Sequence, residues 1–392
     1  MFALIFKISL NKNNIMKNYK LLTILISTSV ISFFTSCDKD EDVMGCTDSS
    51  ATNFNVSANE DDGSCIYDAV TAPTTYNFSN ASYGGQTDRL NMLKELETYL
   101  KTVNDGAVID ASIAKSMYAN DGYTWTSDAF ANSQPTKQLK NKTFESEQSN
   151  VEALIDELAD LSVNGTLTGG YMFNANGFEP VQLIVKGIMG SCFYYQGTSV
   201  YLSEVKMNVD NDVASLTSDL EYTDMQHHFD ESFGYLGAPI DMSNANPDGG
   251  SYWGKYAKKT LVGSLTTIDN LMQDGFIAGR HAINNMDYDA RDQAIAIIQA
   301  EWEMIPVASA LYYLNSAEAA IADDAVRNHA LSEAIAFMSA LKWNSNALVT
   351  PSQVDDMIDM LGDNLFNITA LMISDTRNAL ASAYGISNST EF

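Results

Sequence analysis

The chain has 392 residues, 45% hydrophobic and 10% aromatic, which excludes a disordered polymer and allows one large or two ordinary domains with a substantial core. The formal net charge is -28, and residues 1–36 hold four lysines and no acid, so the remainder is more acidic still. Such a chain is repelled by nucleic acid and by anionic lipid surfaces, which excludes nucleic-acid binding; cationic ligands and metal ions remain compatible.

Met16-Lys17-Asn18-Tyr19-Lys20 opens a basic stretch, and Leu21 to Phe34 is an apolar run too short to span a bilayer stably. Thr35-Ser36-Cys37 closes it with small residues before a cysteine, the pattern of a bacterial lipobox, with Phe34 where an aliphatic residue is commoner. The layout predicts a signal peptide over 1–36, starting at Met16, and a mature protein acylated at Cys37. Asp38-Lys39-Asp40-Glu41-Asp42 resembles the lipoprotein export signal of Bacteroidetes-type bacteria, which implies display on the outer face of the outer membrane.

Residues 37–75 read as a lipidated acidic linker carrying a small module. With Cys37 acylated, Cys46 and Cys65 are expected to pair in an oxidising compartment, stabilising their loop by roughly 3 kcal/mol. Cys192 lies in an apolar helical run and reads as a buried free thiol. The segment from Gly45-Cys46-Thr47-Asp48 to Asp61-Asp62-Gly63-Ser64-Cys65 resembles a short disulfide-closed repeat of surface proteins in the same bacteria. Its Asp, Asn and Gly density could hold calcium; a rigid stalk is the preferred reading, since the alternating spacing of an EF-hand loop is incomplete.

Residues 76–392 read as an all-α domain. Thr87 to Val103 places Leu90, Leu93, Leu96, Leu100 and Val103 three or four apart, and Asn150 to Leu161 repeats that pattern. Glu179-Pro180 opens the next helix, and Val181 to Leu202 is apolar on most faces, as a buried central helix is. Asp292 to Leu314 is similar, and strand signals are scarce. Two stretches resemble each other. One long helix ends in Tyr201-Leu202-Ser203 and the other in Tyr313-Leu314-Asn315; each is followed by acidic residues and then by a histidine helix. This internal similarity predicts a duplicated helical bundle of two related halves.

The chain has four histidines, and three of them, His227, His228 and His329, fall on those matched helices. His227 and His329 each face a glutamate one turn on, Glu231 and Glu333, and His228 faces Glu231 at i+3. Imidazole beside carboxylate on one helix face is half of a site for a transition metal, iron or zinc, or else a buried hydrogen bond that positions helices. The matched positions predict that His227, His228, Glu231, His329 and Glu333 surround one interior pocket. His281 has no carboxylate at i+3 or i+4 and is left out. Zinc-protease, phosphate-loop, nucleophile-elbow and dinucleotide motifs are all missing.

Residues 76–392 resemble an uncharacterised Bacteroidetes lipoprotein family, domain of unknown function 4856. The likeness rests on Tyr76-Asn77-Phe78, Gly85-Gln86-Thr87 with Arg89-Leu90-Asn91-Met92, Lys137 to Leu139-Lys140 with Lys142-Thr143, Met225 to Tyr235, and Asn328 to Glu333. A weaker similarity runs to imelysin-like proteins, duplicated helical bundles with a G-x-H-x-x-E signature linked to iron uptake. His228-x-x-Glu231 fits its second part, but Gln226 replaces the glycine and the second site is one residue longer. The resemblance implies a non-catalytic surface lipoprotein that captures iron, haem or another metal-linked ligand, partnered by a TonB-dependent transporter or an imelysin-like protein. The alternatives are a metal-dependent peptidase, for which no third ligand is evident, and a structural or adhesive domain without metal.

Overall fold

The structure, a computed structural model, describes residues 42–49, 51–65, 71–213, 216, 221–246, 248–260 and 268–392. The expected signal peptide and acylated Cys37 lie outside the described residues. The chain divides into two compact units, Met1–Val70 and Thr71–Phe392.

In the first unit, strands β1 (Met44–Gly45) and β2 (Glu60–Asp61) pair in parallel, and Cys46 is bonded to Cys65. The acidic loop closes on itself: Asp61 accepts from the Gly63 amide at 3.0 Å and Asp62 from the Ser64 amide at 2.9 Å.

The second unit is all-α, as expected. Its helices are α1 (Gly84–Lys101), α2 (Ala111–Ala119), α3 (Glu145–Asn164), α4 (Pro180–Ile188), α5 (Glu204–Met207), α6 (Asp224–Leu236), α7 (Tyr252–Thr260), α8 (Ala278–Asn284), α9 (Tyr288–Ala319), α10 (Asp324–Ala340), α11 (Pro351–Asp359) and α12 (Ala370–Ala383). The strand content of this unit is one two-residue antiparallel pair among the described residues, β3 (Leu167–Thr168) with β4 (Tyr171–Met172). Helix starts follow local chemistry. Thr223 and Gln226 form a capping box on α6, Thr350 and Gln353 another on α11, and Asp323 accepts from two amides of α10.

Helix α9 is long and apolar enough to cross a membrane by composition, yet 72% of its apolar window is buried inside the unit. It is the core helix. Trp302, Leu311 and Leu314 on α9 meet a core that includes Leu331 and Phe337 on α10, all of them fully buried.

The expected uniform helix over Val181 to Leu202 is instead α4 followed by two π-helical stretches, Met189–Tyr194 and Gln196–Val200. Two glycines explain the departure. A Cβ at Gly190 would lie 2.8 Å from the Ala340 Cβ, and one at Gly197 would lie 2.5 Å from the Trp302 ring, so both let neighbouring helices approach closely. Carbonyls along the widened turns accept bonds from outside: Met189 from the Trp253 indole at 2.9 Å, Gly197 from Ser232 at 2.7 Å and Thr198 from Gln299 at 2.7 Å.

Candidate functional site

Helix α6 brings His227 and Glu231 to a cavity of about 440 Å³ that is also lined by Gln86, Arg89, Lys137, Lys142, Tyr201 and Tyr222. The His227 Nδ1 lies 2.9 Å from the Ser82 carbonyl, which can only accept, so Nδ1 carries the proton and Nε2 points toward Glu231 at 3.9 Å. Tyr222, just ahead of the Thr223 cap, stacks on the imidazole at 4.5 Å. Glu231 accepts from Gln86 at 2.8 Å. Lys142 donates to the Tyr201 hydroxyl at 2.9 Å, and its pKa is lowered by burial and by the neighbouring Arg89. Burial, and then the Glu231 charge, push the Tyr201 hydroxyl up.

Arg89 is buried, donates to the Gln138 and Gly85 carbonyls, and has no carboxylate partner among the described residues. Lys137 lies across Gly85, where a Cβ would meet its Cε at 2.9 Å. The first turn of α1, Gly84-Gly85-Gln86, faces the same cavity with no acid in it, and its helix dipole adds partial positive charge. Three cations therefore face one carboxylate, in a chain with 50 acidic and 22 basic residues.

Helix α10 repeats the arrangement. The His329 Nε2 is 3.8 Å from Glu333, its Nδ1 is 2.6 Å from Glu179, and Tyr171 stacks on the ring at 4.4 Å. Tyr313, in the C-terminal part of α9, takes the place of Tyr201; Lys259 donates to its hydroxyl at 3.0 Å, as Lys142 does to Tyr201. The residue before each glutamate pins the segment that orients the imidazole. Asp230 accepts from the Ser82 amide at 3.0 Å, and Ser332 accepts from the Glu179 amide at 2.9 Å. Seven residues beyond each pinned residue stands a buried cation, Arg89 after Ser82 and Lys186 after Glu179.

The two sets do not meet around one pocket. His227 and Glu231 line one cavity; Glu333 lines another, of about 390 Å³, with Lys186, Lys259 and Tyr313. The expectation of a single five-residue pocket is thus corrected, because matched helices carry their polar faces to separate clefts. His228 joins neither. The Lys206 ammonium, which can only donate, is 3.1 Å from its Nε2, so Nδ1 donates to the Lys206 carbonyl at 3.0 Å. Both ring nitrogens are engaged, and burial and then the Lys206 charge lower its pKa. Among the described residues no three His, Cys, Asp or Glu side chains are grouped to hold one metal ion, in either unit.

Sequence reasoning missed the cations. Arg89, Lys137 and Lys142 stand far from the histidine helices in sequence, and Tyr201 and Tyr313 lie on the matched long segments, but only the fold brings them to the glutamates. Asp230 is structural: fully buried, it accepts from Arg280 at 2.8 Å and from Tyr76 at 2.7 Å.

A family model described as Domain of unknown function (DUF4856) matches residues 156–387, more than half of the chain. No curated protein and no solved structure matches it.

Proposed function

Because the chain belongs to that family, whose description states no activity, we propose a function from the site alone: a non-catalytic binding protein that captures a small anionic ligand in the cavity beside His227 and Glu231. The observation that carries this reading is the convergence of Arg89, Lys137 and Lys142 on one cavity of a strongly acidic chain, with the buried Arg89 guanidinium lacking a carboxylate among the described residues. A guanidinium and two ammonium groups suit carboxylate or phosphate. A metal ion held by a carboxylate chelator, or a haem through its propionates, falls in the same class. Such a ligand would be bound through its anionic rim, not by direct ligation of the metal to the histidines. The acylated Cys37 would tether the protein to the outer membrane, at the cell surface, where the ligand is passed to an outer-membrane transporter.

The test is calorimetric titration of the full mature chain with citrate, ferric citrate and haemin. At least one is expected to bind saturably, and Arg89→Met and Lys142→Met should each weaken it about tenfold or more, the scale of one charge-assisted hydrogen bond. Binding that is unchanged in both variants, or no binding of any of the three, defeats the reading.

A further inference from the structure

The cavity beside Glu333 differs in chemistry from the one beside Glu231. Its lining includes Lys94, Lys101, Lys186, Lys255 and Lys259 against two carboxylates, Glu97 and Glu333. Lys101 is paired with Glu97 at 2.5 Å, which leaves four lysines facing Glu333 alone. Together the two cavities take eight of the 22 basic residues of a chain with net charge -28. Charge of one sign gathered in a cleft, against the sign of the whole molecule, focuses a field that draws in the opposite charge.

Two buried groups in this second cavity have unused hydrogen-bonding capacity. Lys186 is 5% exposed and makes no hydrogen bond among the described residues; its nearest carboxylate oxygen, on Glu333, is 3.6 Å away. Glu333 is also 5% exposed; the Tyr256 and Tyr313 hydroxyls bond to its carboxylate, while its Oε2 accepts no hydrogen bond among the described residues. Buried charges left in this state are costly, so the cavity suits a ligand that offers an acceptor to the ammonium and a donor to the carboxylate. A bare anion would meet the lysines but set its charge against Glu333. A neutral polyol would meet Glu333 but leave the lysine charge uncompensated. Tyr252, Tyr256 and Tyr313 complete the lining; burial and then neighbouring charge, including that of Glu333, push the Tyr256 and Tyr313 hydroxyls up, and both hydroxyls face the Glu333 carboxylate.

We infer that this cavity is a second binding site, independent of the first, for a hydroxylated organic anion of the sugar-acid or sugar-phosphate type. Its anionic group lies among Lys186, Lys255 and Lys259, and a hydroxyl donates to Glu333. The first cavity makes no such demand, since Gln86 already donates to Glu231 at 2.8 Å. The inference does not rest on the function proposed for that first cavity.

The test is lysine acylation of the full mature chain, read residue by residue by mass spectrometry. It is run with glucuronate or glucose 6-phosphate, and separately with inorganic phosphate and with glucose. One of the two sugar anions should protect Lys255 and Lys259 several-fold while Lys115, which is paired with Asp156, keeps its reactivity. Inorganic phosphate should protect more weakly, and glucose not at all. In calorimetry Glu333→Gln should weaken the sugar anion about tenfold, the scale of a lost bond to a charged group, without weakening inorganic phosphate. No protection at Lys255 and Lys259, or equal protection by inorganic phosphate alone, overturns the inference. Protection of Lys137 with Lys255 and Lys259 unprotected also overturns it, while supporting the first cavity. Protection confined to Lys255 and Lys259 by the sugar anions supports it whatever the first cavity does. Because acylation is read on the unaltered protein, a folding defect in the variant cannot decide the result.

Discussion

Helices α6 and α10 carry the same His-x-x-x-Glu spacing, each with a tyrosine stacked on the histidine and a lysine on a nearby tyrosine hydroxyl, yet their glutamates are held differently. Glu231 takes a neutral donor, Gln86, at 2.8 Å, whereas Glu333 stands 3.6 Å from the Lys186 ammonium with one oxygen unpartnered among the described residues. The residue ahead of each glutamate differs as well. Asp230 is fully buried against Arg280 and also holds Tyr76 and Ser82, while Ser332 at the equivalent place donates to the Asn328 carbonyl and accepts from the Glu179 amide. The geometry recurs at both helices, and the charge partners differ. The histidines therefore read as fixed framing, and the ligand chemistry lies in the cations and in whatever satisfies each glutamate.

The largest expected effect separates the two anchors. Asp230→Ala strands the Arg280 guanidinium in a site with no exposure and should cost about 3–5 kcal/mol of stability. Ser332→Ala removes one neutral anchor and should cost about 1 kcal/mol. Urea unfolding of the two variants reads this difference directly, and equal losses would mean that the anchors are equivalent after all.

A smaller effect concerns the histidines. His227→Ala removes the ring beside Glu231 and should weaken ligand binding in the first cavity by about 1 kcal/mol, the scale of one hydrogen-bonding group. His228→Ala should leave affinity unchanged, because its nitrogens are both engaged by Lys206. A titration in which His228→Ala is the more damaging of the two would reverse this assignment.

The smallest effect is in pH. Burial and neighbouring cations lower the pKa of Lys142 in the first cavity and of Lys259 in the second. Lys142 faces Arg89, Glu231 and Lys206, and Lys259 faces Glu333, Lys186 and Lys255. A lysine with a lowered pKa loses its charge before an ordinary one, so anion affinity at both cavities should fall as pH rises through the range just below normal lysine titration. Measured affinities that hold constant until free lysine itself titrates would show that neither ammonium contacts the ligand.

Much of the fold was legible along the chain. The three-and-four spacing of Leu90, Leu93, Leu96 and Leu100 marked α1, Glu179-Pro180 marked the start of α4, and Cys46 and Cys65 marked the disulfide. The buried Cys192 thiol, its pKa pushed up to about 12 by burial, followed from its apolar surroundings. The π-helical turns after α4 were not legible, because they depend on Gly190 and Gly197 meeting Ala340 and Trp302, which are distant in sequence.

The sequence by itself determined the helices, their caps, the disulfide and the two matched His–Glu pairs, since each arises from residues within a few turns of one another and from the 3.6-residue period. Only the tertiary structure decided that the pairs open into two cavities instead of one, and which cations they meet. Arg89 and Glu231, or Lys259 and Glu333, are brought together by packing across the bundle. Local spacing holds no information about such contacts, because which face of one helix meets which face of another is set by the whole core.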